Sequence, residues 1–201
     1  MYIARILYPV RVLGPGDRIG IWFNGCQHHC PGCSNPELWE LQDRYNVSFD
    51  ILMSLINQIC QTHHVDGFTL TGGDPFMQPE ALSQVLPVLS EISTDILVYT
   101  GYQYDTLSEM YPDLFPHIGV LIDGEYIESR NSGAPLRGSD NQNIIILKEQ
   151  LRDKYQQYLD CFRNEIQNFT TLDGVISVGI HRPGYDVQVD TLLKQKGLEN
   201  I

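Results

Sequence analysis

Residues 19–33 read IGIWFNGCQHHCPGC. The first six form an apolar run closed by Gly25 and read as a buried strand. The rest is different in kind. Cys26, Cys30 and Cys33 stand in the spacing C-x3-C-x2-C, which no helix or strand needs for packing. Gly25, Pro31, Gly32 and Pro36 make this stretch a loop, and a loop can wrap its sulfurs around a metal centre. Three thiolates are one short of a closed structural zinc site and one short of an all-cysteine iron–sulfur cluster. The spacing therefore points to a cubane cluster with one iron open to an exchangeable ligand. Two other readings stand beside it: a zinc loop completed by His28 or His29, and a loop of free thiols.

Outward from this loop, strand and helix signals alternate. Residues 2–10 read as an edge strand, followed by a turn at Gly14-Pro15-Gly16. After the cysteines, residues 34–47 read as loop with a helical turn. Ser48 is placed to cap a helix over 49–63, with Ile51, Leu52, Leu55, Ile56, Ile59 and Cys60 at helical spacing. Cys60 lies on that apolar stripe and reads as a core thiol. Residues 67–71 are a strand running into Gly72-Gly73-Asp74-Pro75, and Pro79 opens the next helix. Residues 96–100 form a strand closed by Gly101, residues 104–110 a short helix, and residues 120–123 a strand ending at Gly124. Residues 127–142 are a long polar loop of the kind that often carries function. Residues 144–147 are strand-like.

Such alternation predicts a parallel sheet with helices outside, either doubly wound or a partial barrel. In both, sites gather beyond the carboxyl ends of the strands. The cysteine loop, Gly72-Gly73, Thr100-Gly101 and Asp123-Gly124 then share one rim. The last part of the chain differs. Leu151, Tyr155, Tyr158, Leu159, Phe162, Ile166 and Phe169 predict one long helical stripe of core packing, with Cys161 a structural thiol beside it. Residues 174–181 read as a strand, Pro183-Gly184 as a turn and 186–196 as a final helix.

Composition bounds the function. The chain has 201 residues, 42% of them hydrophobic and 19% charged, enough for one domain with a sizeable core. A formal net charge of −12 argues against general nucleic-acid binding, which needs a basic face. Five cysteines, three of them adjacent, are no disulfide framework and imply a reducing interior. No signal peptide and no apolar run of membrane-spanning length stand out, so a cytoplasmic location without membrane association is expected.

The motifs taken together point to a family. Gly25-Cys26 with Cys30-Pro31-Gly32-Cys33, Trp39, Thr71-Gly72-Gly73-Asp74-Pro75, Thr100-Gly101-Tyr102, Asp123-Gly124 and the run Arg137-Gly138-Ser139-Asp140-Asn141-Gln142 occur in this order. The chain resembles the radical S-adenosylmethionine (SAM) superfamily, and more narrowly the anaerobic ribonucleoside-triphosphate reductase-activating proteins, over residues 8–147.

The resemblance implies an α/β partial (β/α) barrel of parallel strands with the cluster loop after the first barrel strand. It implies one domain over residues 1–201, with a core to residue 148 and a C-terminal α/β extension packed on it. Cys26, Cys30 and Cys33 become the ligands of a 4Fe–4S cluster whose open iron takes SAM. An electron from the reduced cluster splits the sulfonium bond, giving methionine and a 5′-deoxyadenosyl radical.

Gly72, Gly73, Asp74 and Pro75 correspond to the turn that binds the methionine moiety, and glycine there permits close backbone approach. Gly32 and Ser34 flank the last ligand. Because Gly32 stands where many superfamily members carry an aromatic residue, Tyr99 and Tyr102 are candidates to pack the adenine. Thr100, Gly101 and Asn141 are further candidates for SAM contact, with Gln142 beside them as a contact or a loop cap. His28 and His29 are read as facing solvent or supporting the ligands, and His181 beside Arg182 as a possible visitor to the same rim. The implied partners are an anaerobic ribonucleotide reductase, on a glycine of which the radical acts, and a flavodoxin- or ferredoxin-type electron donor.

One departure matters. The usual activating proteins end near the segment matching residues 138–147, and this chain continues. The addition completes the sheet, or covers the open side of the site, or marks a paralogue with another substrate. A stand-alone small radical SAM enzyme acting on a peptide or small molecule is therefore the second functional reading. A non-catalytic iron–sulfur or zinc module is the third.

Overall fold

The computed structural model describes residues 1–161, 165–171, 174–182 and 184–195. Six strands form one sheet in chain order: β1 (Ile3–Val10), β2 (Arg18–Phe23), β3 (Gly67–Gly72), β4 (Ile96–Tyr99), β5 (Val120–Asp123) and β6 (Asn143–Ile146). The pairings β2–β3, β3–β4 and β4–β5 are parallel, while β1 and β6 run antiparallel to their neighbours. The result is a mostly parallel α/β sheet of the kind an open partial barrel contains.

The expected alternation fails at the last step. A parallel neighbour needs a crossover long enough to return to the same end of the sheet, usually a helix. Between β5 and β6 the described chain has only a 3-10 turn at Glu128–Arg130, so β6 comes straight back and pairs antiparallel.

The parallel strands are apolar on both faces because both are covered. On one side lie α1 (Phe49–Thr62) and α2 (Pro79–Ile92). The Ser48 hydroxyl caps α1 by accepting from the Ile51 N–H at 3.3 Å. Leu52 and Ile56 of α1 and Leu82, Val85, Leu86 and Leu89 of α2 pack against Ile19, Ile21, Phe23, Phe68, Leu70, Ile96, Val98 and Leu121. Each such side chain withdrawn from water contributes about 1.5–3 kcal/mol. A short helix, α3 (Tyr104–Met110), follows β4.

The other face is covered by the end of the chain. There α4 (Arg152–Cys161) is followed by a hairpin of β7 (Gln167–Thr171) and β8 (Gly174–Val178), then by α5 (Tyr185–Gln195). Leu151 and Tyr155 pack on Leu97, Val120 and Ile122, and Val178 packs on Val10, Leu13 and Trp22. The long helical stripe expected over 151–169 is thus cut short. Residues 167–171 alternate between partly buried and exposed, a period of two, and pair with β8, so Phe169 sits on a strand. Cys161 is exposed at the end of α4 rather than packed. Phe162, Pro183 and Lys196, which belonged to those expectations, lie outside the described residues. Cys60 is half-buried against the helical face of the core, near where its spacing placed it.

One polar network joins the extension to the sheet. Arg18 is fully buried at the start of β2. Its guanidinium donates to the Thr69 hydroxyl, to the Pro15, Phe68 and Asp95 carbonyls, and to the Asp95 carboxylate at 3.0 Å. The same carboxylate accepts from Lys154 Nζ at 2.6 Å and Tyr155 Oη at 2.7 Å, both on α4. A buried cation needs such a complete set of acceptors. The network lies at the amino-terminal ends of β2 and β4, away from the cysteine loop.

Candidate functional site

The strand register brings the motifs to one level. Phe23 is paired with Gly72, so the cysteine loop and the glycine turn leave the sheet side by side. Two backbone bonds tie them: Gly73 N to the Phe23 carbonyl at 2.8 Å and Asp74 N to the Gly25 carbonyl at 2.9 Å. The contact explains Gly73, since a Cβ there would lie 2.3 Å from the Gly25 carbonyl oxygen. Gly72 has φ +107° and would press a Cβ on the Phe23 backbone.

The cysteine loop is closed at its base. Gly25 N and Cys26 N donate to the Leu38 and Trp39 carbonyls at 2.8 and 2.9 Å. The buried Asn24 side chain donates to the Leu38 and Glu40 carbonyls and accepts from Gln42 N. Within the loop, Cys33 N donates to the Cys30 carbonyl and Asn35 N to Cys33 Sγ.

Cys26, Cys30 and Cys33 line one cavity of about 230 Å³. Of the other residues singled out from the sequence, Gly32, Ser34, Gly72, Gly73, Asp74, Thr100 and Gly101 line it too. Pro75 does not; it begins a buried 3-10 turn, Pro75–Met77, behind the rim. Asn141 does not either: its Nδ2 donates to the Glu125 carbonyl at 2.8 Å, and its Oδ1 is buried without a hydrogen-bond partner. Its neighbour Gln142 lines the cavity and shapes the loop, donating to the Gly124 carbonyl and accepting from Gly138 N and Ser139 N.

Asp74 is the hub of the rim. It is 1% exposed and accepts from the Thr100 hydroxyl, Gly101 N and Phe76 N. Thr100 and Asp74 therefore spend their polar groups on each other and fix the turn after β4 against the turn after β3. His28 completes the arrangement. Its Nε2 is 3.1 Å from Asp74 Oδ2 and its Nδ1 3.0 Å from Glu125 Oε1. The ring packs edge-on to Tyr102, with centroids 4.5 Å apart. The Asp74 hydrogen bond chiefly raises the His28 pKa, against the opposing effect of burial. His28 thus braces the cysteine loop from inside, whereas His29, at φ 47°, stacks half-exposed on Trp39.

The thiols share the cavity without converging: among the described residues no three His, Cys, Asp or Glu side chains are gathered at metal-binding distance. Burial pushes the Cys26 thiol up to about 11 and raises Cys30 as well. A metal would have to displace those protons on binding. Of the two tyrosines considered for adenine, Tyr99 lines the cavity, and its hydroxyl is buried with no hydrogen-bond partner. Tyr102 is turned aside and donates to Met77 Sδ at 3.1 Å.

Sequence reasoning passed over Asn24 and Glu125, whose bonds are given above, and Tyr126 and Glu128, which line the cavity. Asn24 carried a usable signal, a polar residue ending an otherwise apolar strand. The other three follow directly on the Asp123-Gly124 turn at the same rim. His181 and Arg182 do reach the cavity, on the turn between β8 and α5.

Comparison with known proteins agrees with this geometry. A family model described as "4Fe-4S single cluster domain" matches residues 12–145. An anaerobic ribonucleoside-triphosphate reductase-activating protein of Vibrio cholerae is 37% identical over 145 residues, covering 68% of this chain and 93% of the relative. The protein of the same name from Salmonella typhimurium is 34% identical, covering 70% and 96%. That of Enterobacteria phage T4 is 29% identical, covering 69% and 90%. No solved structure matches. No helix among the described residues is long and apolar enough to cross a membrane. The ordered cysteine motif, the glycine turn beside it and these relatives give one result: the chain belongs to the 4Fe–4S single-cluster family of radical SAM proteins, in the group of anaerobic ribonucleoside-triphosphate reductase-activating proteins.

Proposed function

We propose that this protein is a glycyl-radical activating enzyme that cleaves SAM reductively and takes a hydrogen atom from a glycine of an anaerobic ribonucleotide reductase. The observation that carries the reading is the sharing of one cavity by Cys26, Cys30, Cys33 and the Gly72-Gly73 turn.

The donor set fits a 4Fe–4S cluster with one open iron. It offers three thiols in a loop whose base is pinned, and among the described residues no fourth thiol lines the cavity. When bound, the cluster supplies the electron that splits the SAM sulfonium bond, leaving methionine and a 5′-deoxyadenosyl radical. That electron comes from a reduced flavodoxin- or ferredoxin-type protein.

The chain's own residues bind, orient and exclude water. Gly72 and Gly73 let the backbone approach the methionine end of SAM. Asp74, held by Thr100, Gly101 and Phe76, keeps that turn in place without contributing a free polar group. Tyr99, which lines the cavity, offers its ring to the nucleoside. Closing the cavity from water protects a reactive radical from quenching. The hydrogen atom passes from glycine Cα to the 5′ carbon, giving 5′-deoxyadenosine and a glycyl radical. We assign the whole chain to one domain with a cytoplasmic site of action, as expected for an enzyme whose thiols must stay reduced.

The test is anaerobic reconstitution of wild type and Cys30→Ser. Wild type should bind four irons, release 5′-deoxyadenosine and install a glycyl EPR signal on the reductase. Cys30→Ser should lose at least 90% of both activities; full activity in that variant would refute the assignment.

A further inference from the structure

The segment beyond the family match reaches the site. The match ends at residue 145, and the relatives are covered to 93% and 96% of their own length, so this segment is extra to them. Yet Ser177, Gly179, His181, Arg182 and Tyr185 line the same cavity as the three cysteines.

The wall they form is held from both sides. Gln167 of β7 donates to the Pro9 carbonyl and accepts from Arg11 N at 3.0 Å, tying the hairpin to the end of β1. Asn131 Nδ2 donates to the His181 carbonyl at 2.8 Å, tying the turn to the loop after β5. Val178, 3% exposed, anchors β8 on Trp22 and Val10. The His181 and Tyr185 rings stack with centroids 4.3 Å apart. A wall fastened in this way can discriminate between ligands.

Its charge gives it a direction. Two arginines line the cavity. Arg5 is engaged with Glu37 at 2.5 Å. Arg182 is exposed at the mouth and has no ion pair among the described residues. In a chain of net charge −12, it is a local attractor for a carboxylate. That carboxylate has two possible sources, SAM and the substrate. The methionine end of SAM, which carries its carboxylate, is assigned above to the Gly72-Gly73 turn, whereas Arg182 is an exposed residue of the cavity lining, so the substrate is the better match.

We propose that Gly179, His181, Arg182 and Tyr185 form the substrate-recognition wall of the site, and that Arg182 engages a carboxylate on the polypeptide segment carrying the reacting glycine. The proposal rests on the function proposed above and names how that substrate is chosen.

The experiment uses the full-length, anaerobically reconstituted protein and its Arg182→Ala and Arg182→Lys variants. One arm measures the KM for SAM from 5′-deoxyadenosine release with dithionite. The other measures the KM for the reductase from glycyl-radical EPR. Arg182→Ala should raise the KM for the reductase at least tenfold and shift that for SAM less than twofold. Arg182→Lys should recover part of the loss, and the gap should narrow as salt screens the pair.

A parallel rise in the KM for SAM would overturn the proposal by giving the carboxylate to SAM, and no change in either would remove the turn from recognition. Wild-type protein that releases no 5′-deoxyadenosine would instead overturn the reading of the site itself. Wild type that releases it but leaves the reductase without a radical would overturn the partner, and with it this wall's role.

Discussion

Replacing Asp95 by Asn is the sharpest test of how the extension is attached. The change keeps the side-chain shape and removes the charge facing Arg18. The two groups are 3.0 Å apart, with side chains 0% and 3% exposed, so solvent screens them little. Breaking a buried pair in this way costs about 3–5 kcal/mol, because the remaining charge is left uncompensated. The retained carbonyls of Pro15 and Phe68 and the Thr69 hydroxyl soften the loss, while Lys154 and Tyr155 lose a charged acceptor and add to it. In a chain of this size each kcal/mol moves the midpoint by about 2–4 °C, so Tm should fall by about 6–20 °C.

The pH dependence has a definite sign. Burial alone raises the Asp95 carboxyl, but Arg18, with hydrogen bonds from Lys154 and Tyr155, overrides it and holds the group below its ordinary value. A carboxyl lowered in the folded state contributes stability above its unfolded pKa of about 3.9, lost as pH falls through the folded value. The gap between wild type and Asp95→Asn should therefore be full at pH 7 and shrink in acid below that unfolded value. Urea unfolding followed by circular dichroism at both pH values measures it. A loss under about 1 kcal/mol at pH 7, against the 3–5 expected for a buried pair, would refute the reasoning. So would a gap that ignores pH.

Other perturbations act at the rim. Asp74→Ala strands the Thr100 hydroxyl and the Gly101 and Phe76 N–H groups, each unsatisfied group costing about 1–3 kcal/mol. It should lower stability in urea and raise the KM for SAM at least tenfold. Gly73→Ala puts a Cβ 2.3 Å from the Gly25 carbonyl and must displace the root of the cysteine loop. Iron bound after reconstitution should fall by at least half. Gly184→Ala, with nothing within 4 Å of its Cβ but φ +78°, should cost only local strain and leave iron content unchanged.

Much of this site was legible from local pattern. The thiol spacing, the glycine turn and the short apolar runs each state a local requirement, such as a ligand reach, a positive φ or a strand end. Strand ends on a parallel sheet share a rim, so chaining those requirements placed Cys26, Gly72, Thr100 and Gly124 around one cavity. The roles within the rim were less legible. Asp74 and Thr100, read as ligand contacts, line the cavity and in addition bond to each other, because a buried carboxylate takes whatever donors the fold brings near it. His28 looked incidental until the approach of β3, β4 and the loop after β5 put Asp74 and Glu125 on its two nitrogens.

The extension shows the limit most clearly. Its aromatic spacing imitated a helix through Phe169, whereas pairing with β8 made residues 167–171 a strand. Sequence by itself determined what neighbouring residues can state: that three thiols share one loop, where the backbone turns, and which segments up to residue 147 are strands or helices. Only the tertiary structure decided that β6 returns antiparallel, that Arg18 and Asp95 hold α4, and that Arg182 lines the same cavity as the cysteines. Local requirements are written in neighbouring residues, but those three outcomes depend on groups far apart in the chain competing for the same buried partners and the same uncovered face of the sheet.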